Sequence, residues 1–522
     1  MALHILHQCS RGFSPARVCV RFSGLSARAQ PHLQRVHRFI HRTSHGSGES
    51  SSSSRLWLYG LCGLGLGGAV TFAVALKSRR DLAESPGDCE RTDAAGYRGA
   101  VETSRELLQR IQVSVEVGAP GLVVGVSVDG VQVWAEGIGF ADLENRVPCT
   151  PDTVMRIASI SKPLTSAAVA RLCEEGKLKL DEPVQTYVPE FPKKQFEGQE
   201  VTITSRMLLS HLSGIRHYEK DANKVREERE KAKNKIKRKE DEKEEKKEKQ
   251  GQKKPTQKKS EFELEEYYLK DHYNSVIEAL DLFKDDPLIF KPGTTFLYST
   301  HAFTLLSAVV ERAAAVPFLD HMGAMFREMG MFHTVPELNE TIIYHRSRYY
   351  HLNKNGRVVN CPYVDNSYKW AGGGFLSTAG DLLRFGNALL YSYQITQLKD
   401  TEGMLPGFLK PHTARELWTP VKNTEVSWDK DGQYAQAWLV VEEEQKYGQC
   451  RKRRHYVSHT GGAVGASSVL LVLPAERLEQ CEGKKQLPQG VVVTVIMNMQ
   501  SVGLNRTALA IAHEFDRARL RQ

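Results

Sequence analysis

Strand-forming text sits at both ends of the chain's globular part, and a sheet built from both ends is the strongest constraint on its fold. Near the beginning, "LVVGVSVDGVQVWAEGIG" (122–139) is two β-rich runs around Asp129-Gly130, a dipeptide that accepts the positive φ angles of a two-residue hairpin turn. Near the end, "RHYVSHTG" (454–461), "ASSVLLVLP" (466–474) and "GVVVTVIMNM" (490–499) are three more strand candidates. Residues 97 to about 117 carry Leu107, Leu108, Ile111 and Val115 at helical spacing, and a last helix is expected over about 503–520. The stretch between is mostly helical in pattern. The simplest closure is an α+β fold: one antiparallel sheet made from both chain ends, flanked by the terminal helices, with a mainly helical domain inserted.

The globular part is expected to span 97–522, because what precedes it has a different composition. Residues 1–48 contain no acid, and Arg11, Arg17, Arg21, Arg28, Arg35, Arg38 and Arg42 recur among serines and histidines. That is the composition of a mitochondrial transit peptide, here assigned to 1–55. The apolar run "LWLYGLCGLGLGGAVTFAVAL" (56–76) follows, long enough as a helix to cross a bilayer core of about 30 Å. A basic presequence followed by an apolar stop reads as a sorting signal for the intermembrane space, or as an inner-membrane anchor. Residues 77–96 form a polar linker.

A second compositional break lies at 219–261, where eighteen Lys/Arg and twelve Asp/Glu leave almost no apolar side chains. Such a run cannot bury a core and is expected to be a solvated insertion. It carries +6 and residues 1–80 carry +10, so the remainder of a chain with net charge +9 is about −7. A mildly acidic globular part has no electrostatic footprint for nucleic acid, which is not expected as a partner. The nine cysteines are scattered singly, with no CxxC or Cys/His ligand spacing, so no metal or other cofactor is expected. Asn339 and Asn505 head glycosylation sequons that act only in a secreted protein.

Within "IASISKPLTS" (157–166), Ser159 and Lys162 stand three apart, ahead of a helical pattern marked by Leu164, Val169 and Leu172. Pro163 is tolerated only in a first turn, which puts Ser159 at a helix start, where free amides favour developing negative charge. Lys162 projects from the same face, and burial between apolar walls would let it take the serine proton. Alone the pair is weak, since about two S-x-x-K matches arise by chance in a chain this long. Two further stretches strengthen it. "YST" puts Tyr298 on a loop with Thr300 two residues on, and "HTGG" puts His459, Thr460, Gly461 and Gly462 at a strand edge where glycines let a substrate backbone approach. His211, in "LLSHLSG", reads as a structural bridge near a helix end. In "AGGGFLSTAGD", Thr378 and Asp381 read as a capping box, with glycines that can border a cleft.

The order Ser-x-x-Lys, Tyr-x-Thr, His-Thr-Gly resembles the Ser-x-x-Lys, Tyr-x-Asn, Lys-Thr-Gly layout of the penicillin-binding proteins and class C β-lactamases. The flanking text "PDTVMRIASISK", "GKLKLDEPVQTYVPEF", "FLYSTHAFTLLSAVVE" and "AGGGFLSTAGDLLRFG" resembles them as well, so the similarity covers about 97–522 apart from the charged run. It implies an acyl-enzyme mechanism with Ser159 as nucleophile, Lys162 as its base and Tyr298 as proton shuttle. The amides of Ser159 and Gly462 would form the oxyanion hole, with His459, Thr460, Gly461 and Thr300 around the substrate. Thr300 replaces the family's Asn, and His459 replaces the Lys that pairs with a substrate carboxylate, so peptide or ester substrates are favoured over β-lactams. Mitochondrial members of the family imply a serine-protease role, on a peptide or protein substrate, connected with regulation of lipid metabolism. The alternatives are an esterase or β-lactamase, or a structural protein that keeps the fold and assembles into homo-oligomers or polymers.

Overall fold

A computed structural model describes residues 96–113, 118–231, 264–398, 404–426, 429, 431–445, 452–478 and 487–522, all within the unit Pro86–Gln522. The basic presequence, the apolar run 56–76, nearly all of the linker and residues 232–261 of the charged run lie outside them.

The described part begins with helix α1 (Arg98–Val113) and continues into strands β1 (Gly121–Val128), β2 (Val131–Asp142) and β3 (Val147–Pro148). Asp129 and Gly130 turn between β1 and β2 at φ +49° and +84°, the two left-handed positions the dipeptide suggested. The Asp129 carboxylate also accepts the Gly490 N–H at 2.7 Å, which ties this turn to the beginning of the last strand. A helical section follows, containing α2 (Ser161–Glu174), α3 (Thr300–Ala314) and α4 (Ala379–Gln394). The chain then returns as β4 (Gly432–Tyr434), β5 (Leu439–Val441), β6 (Tyr456–Ala463), β7 (Ala466–Pro474) and β8 (Gly490–Met497), and ends in α5 (Asn505–Arg519).

The eight strands form one antiparallel sheet in the order β4-β5-β6-β7-β8-β1-β2-β3. Its closing seam pairs β8 with β1, from Leu122 opposite Met497 to Val128 opposite Val491. Every residue of β1, β7 and β8 is buried, which explains why these strands read as unbroken apolar runs rather than alternating ones. One face packs Leu122, Val124 and Val126 against Leu108 of α1 and Ile511 and Phe515 of α5. The Phe515 ring stacks between Tyr97 and Trp134, with centroids 5.8 and 6.0 Å away. The other face packs Val123, Leu470 and Val492 against Leu383 and Phe385 of α4. At about 1.5–3 kcal/mol for each large apolar side chain buried, these two layers dominate the folding free energy.

The charged run departs from the expected solvated insertion at its beginning. Residues 222–231 are helical. Arg226 Nε donates to the Ile289 carbonyl at 2.8 Å, Arg229 donates to the Phe296 carbonyl, and the Arg229 guanidinium lies 5.4 Å from the Phe290 ring centroid. Long basic side chains lay their aliphatic stems on the domain while their heads satisfy carbonyls, so charge density alone does not make a segment free of the fold. Deletion of 232–260 is therefore expected to leave the thermal midpoint unchanged, whereas deletion of 222–260 lowers it by about 2 °C or more. Equal midpoints for the two deletions, read by differential scanning fluorimetry, would refute the docking of 222–231.

Candidate active site

Ser159 occupies the middle of a 3₁₀ turn, Ala158–Ile160, that feeds directly into α2. Pro163 falls in the first turn of α2 as its ring requires, but Ser159 stands two residues ahead of the helix rather than within it. Ala158, with φ +49°, is a left-handed non-glycine residue immediately before the serine. The turn is pressed against β6: a Cβ on Gly461 would lie 2.4 Å from the Ile157 carbonyl oxygen and 3.0 Å from Ala158 Cβ. Gly461 thus serves close packing of strand against turn. It does not line the cleft, contrary to the substrate-binding place expected for it.

Lys162 is completely buried. Its Nζ lies 3.0 Å from Ser159 Oγ, 2.7 Å from the Gly372 carbonyl oxygen and 3.4 Å from Thr300 Oγ1. The rings of Tyr298 and Phe303 flank it, with centroids 4.8 and 5.4 Å from Nζ. Thr300, the first residue of α3, therefore contacts the lysine. Gly372 and Gly373, from the glycine run expected to border a cleft, do line it, and Gly372 supplies its carbonyl to Lys162.

Tyr298 precedes α3 on a loop fixed at several points. Ser299 caps the helix by accepting the Ala302 N–H at 3.1 Å, and its own N–H donates to His211 Nδ1 at 3.2 Å. His211 is fully buried at φ +57°, with its ring centroid 4.3 Å from that of Tyr298. Because Nδ1 accepts, the proton sits on Nε2, and burial holds the ring well below its ordinary pKa. His211 is thus a bridge, as its helix-end position suggests, and the bridge leads to the tyrosine loop. Thr378 caps α4 as expected, accepting the Asp381 N–H at 3.3 Å. Asp381 does not complete a capping box; its Oδ2 accepts from His333 N–H at 2.8 Å and Thr334 Oγ1 at 2.9 Å.

His459 and Thr460 reach the cleft from β6, but His459 is already occupied. Its Nδ1 lies 2.7 Å from the Thr460 carbonyl oxygen, which can only accept, so Nδ1 carries the proton. Nε2 then accepts from the Tyr434 hydroxyl at 2.7 Å. Burial and the nearby Lys162 push the imidazole down to about 3, so the ring is neutral at physiological pH. It offers a substrate neither a positive charge nor an unused N–H. Tyr434 had no signal in the sequence, since it lies on an edge strand of only three residues.

β5 pairs with β6 only as far as Leu439 opposite Ser458, which leaves Thr460 and Gly462 at an edge without a strand partner among the described residues. The Gly462 carbonyl accepts from the Tyr267 hydroxyl at 3.0 Å on that side. A strand residue points its N–H and C=O the same way, so the Gly462 amide also faces the cleft. The cleft has a volume of about 350 Å³, and Ser159, Tyr298, Thr300, Gly372, His459 and Gly462 are among its lining residues. Tyr218, Tyr267 and Lys369 line it too, and sequence reasoning missed all three. Tyr267 is held by its neighbour Glu266, which accepts from Arg216 at 2.7 and 3.0 Å and from His301 Nε2 at 2.9 Å. Burial alone would raise the Glu266 carboxyl, but the bonds from His301 and Arg216 outweigh it and bring it to about 2. Among the described residues no cluster of His, Cys, Asp and Glu could hold a metal ion.

The profile of the β-lactamase family matches residues 105–514. The chain belongs to this family. Its members of the β-lactamase and penicillin-binding fold are serine hydrolases. The chain is 58% identical over 444 residues to the human mitochondrial serine β-lactamase-like protein LACTB, covering 81% of each chain. It is 56% identical over 453 residues to the mouse protein of the same name, covering 82% of each. Among solved structures, the octameric penicillin-binding protein homologue from Pyrococcus abyssi superposes with a TM-score of 0.55 at 20% identity, covering 81% of this chain and 77% of that one. The antiparallel sheet with flanking helices is thus the β-lactamase fold.

The buried histidines of this β-lactamase-family site make its stability depend on pH. Burial pushes His301 down to about 4 and His459 to about 3, from 6.5, and pushes His211 in the same direction. Between pH 6.5 and those values the unfolded chain binds protons that the native state lacks. Stability is therefore complete above the unfolded value and falls as pH drops, by up to about 1.4 kcal/mol per pH unit for each histidine. Thermal midpoints are expected to be lower at about pH 5 than at pH 7.5, with a shallower slope in His459→Gln. A midpoint independent of pH across that range would show that these rings are protonated in the native state.

Proposed function

We propose that this protein is an active-serine hydrolase that cleaves peptide or ester bonds through an acyl-enzyme on Ser159. The observation that carries the reading is the 3.0 Å contact between Ser159 Oγ and the Nζ of the fully buried Lys162. The reactive form is the lysine that has given up its extra proton: it keeps two N–H bonds, which the Gly372 carbonyl and Thr300 hydroxyl accept, and turns its lone pair to the serine proton. Ser159 Oγ then attacks the substrate carbonyl as its proton passes to Nζ. The oxyanion is met by the amides of Ser159 and Gly462. Tyr298, against Lys162, relays that proton to the leaving nitrogen or oxygen, and water entering by the same route releases the acid. The neutral, occupied His459 favours substrates without a free carboxylate at that end of the cleft.

The finer assignments belong to the same proposal. A serine-protease role, rather than an esterase or β-lactamase one, rests on the open strand edge at Thr460 and Gly462, where an extended peptide can lie. A mitochondrial location is supported by the acid-free presequence and by relatives named mitochondrial. The intermembrane space, inner-membrane attachment through 56–76 and a link to lipid metabolism extend that reading. Self-association is favoured by Phe332, Ile342 and Tyr344, which are 70, 84 and 80% exposed. Sedimentation is expected to show oligomers that Ile342→Glu with Tyr344→Glu dissociates, and a monomeric wild-type protein would refute that part.

The enzymatic reading is tested by fluorophosphonate labelling followed by mass spectrometry. Ser159→Ala is expected to abolish the adduct, and Lys162→Ala to slow labelling by about 10²- to 10⁴-fold. Modification of a different serine, or equal labelling of Ser159→Ala, would exclude the assignment.

A further inference from the structure

The loop that carries Tyr298 is held on its N-terminal flank by the beginning of the charged run. Residues 222–231 are helical, and Arg229 donates to the carbonyl of Phe296, two residues before the tyrosine. Arg226 Nε donates to the Ile289 carbonyl at 2.8 Å, and the Arg229 guanidinium lies 5.4 Å from the Phe290 ring centroid. The helix thus grips segment 289–296 at both of its ends. Phe296 passes that hold inward. Its ring is buried and meets His211 edge-on, with centroids 5.8 Å apart. His211 in turn lies 4.3 Å from the Tyr298 ring and accepts the Ser299 N–H.

On the C-terminal flank the hold comes from Glu266, just past the other end of the charged run. Its buried carboxylate accepts from His301 Nε2 at 2.9 Å, three residues after the tyrosine, and from Arg216 at 2.7 and 3.0 Å. The Arg216 carbonyl accepts the Ser299 hydroxyl at 2.6 Å. Between the two flanks the Leu297 N–H donates to the His211 carbonyl at 2.9 Å. Tyr298 therefore stands between a network buried in the domain and a contact made by a half-buried arginine from the run. Hydrogen bonds from a charged donor are about twice as strong as neutral ones, so the arginine contact is a substantial part of the loop's support.

We infer that Arg229 is a positioning residue for the proposed hydrolysis: by holding the Phe296 carbonyl it keeps the Tyr298 hydroxyl where it can deliver a proton to the leaving group. This inference rests on the acyl-enzyme reading above, which gives Tyr298 that proton. In acylation the bond from Ser159 Oγ to the carbonyl carbon forms and the bond to the leaving group breaks. The proton taken up by Lys162 passes through the tyrosine hydroxyl to the departing atom. Such transfer needs heavy atoms about 2.6–3.2 Å apart, and a displacement of about 1 Å can cost about 10²-fold. An alkoxide is a poor leaving group unless it is protonated as it departs, whereas p-nitrophenolate leaves as the anion. A displaced Tyr298 therefore penalises alkyl esters and spares p-nitrophenyl esters. A merely structural role for Arg229 would lower both rates alike.

The test compares ethyl butyrate with p-nitrophenyl butyrate on the full chain. Arg229→Met is expected to lower kcat/KM for the ethyl ester about tenfold more than for the p-nitrophenyl ester. Arg229→Lys, which keeps a charged donor, is expected to restore most of the wild-type ratio. An equal fall on both esters, or no fall on either, overturns the positioning role. Hydrogen exchange at the Leu297 and Ser299 amides, read by mass spectrometry, gives a measure that needs no turnover. Arg229→Met is expected to accelerate both about tenfold, and unchanged exchange overturns the hold on the loop. A wild type that hydrolyses neither ester refutes the enzymatic reading, while accelerated exchange still supports the grip of Arg229 on the Tyr298 loop.

Discussion

A lysine amine sealed from water inside the domain holds the rest of the site in place. Lys162 Nζ touches Ser159 Oγ from the turn before α2, the Gly372 carbonyl from the glycine run, and Thr300 Oγ1 from the first turn of α3. Burying such a group without partners would cost several kcal/mol, so these three segments must converge for the domain to fold. The same convergence is the geometry that the proposed acyl-enzyme mechanism uses. Residues that satisfy the amine also orient it toward the serine, and the walls that keep it dry are the rings of Tyr298 and Phe303. Stability and reactivity therefore make the same demand here.

The frame that permits this is the sheet closed by β1 against β8. With both faces covered by helices, its central strands are rigid and dry, and β6 stands at a defined distance from the serine turn. Gly461 sets that distance, since any side chain there would strike the Ile157 carbonyl. Beyond Ser458 the edge of β6 has no strand neighbour among the described residues, so a substrate can take over the pairing there.

His459, where the resembled layout carries a lysine, is a neutral part of the cleft wall. The imidazole is locked between the Thr460 carbonyl and the Tyr434 hydroxyl, which makes it a spacer in the cleft wall. Lys369, from a separate 3₁₀ turn (Ser367–Lys369), lines the same cleft with its Nζ among three tyrosine rings. Tyr267 reaches that position because the buried Glu266, Arg216 and His301 group anchors the segment just after the charged run. The insertion is thus joined at one end to a helix docked on the domain and at the other to the wall of the cleft.

The sequence by itself determined the elements that depend on local pattern and on motif order. The Asp129-Gly130 turn, the strands at both chain ends, the place of Pro163 and the Thr378 cap follow from φ preferences, apolar periodicity and the need to satisfy helix-end amides. Ser159, Lys162 and Tyr298 were legible because their order and flanking text resemble a known layout, not because any one spacing is rare. Tertiary structure alone decided what each neighbour does. Gly461 became a packing contact and Gly462 a cleft residue, because adjacent strand residues face opposite ways. His459 lost its freedom to Tyr434, and Arg226 and Arg229 docked a helix that composition had assigned to solvent. Tyr267 and Lys369 entered the site from segments about 100 residues apart in sequence. Such pairings depend on three-dimensional convergence of residues whose local sequence is unremarkable, so no reading of periodicity or spacing could have found them.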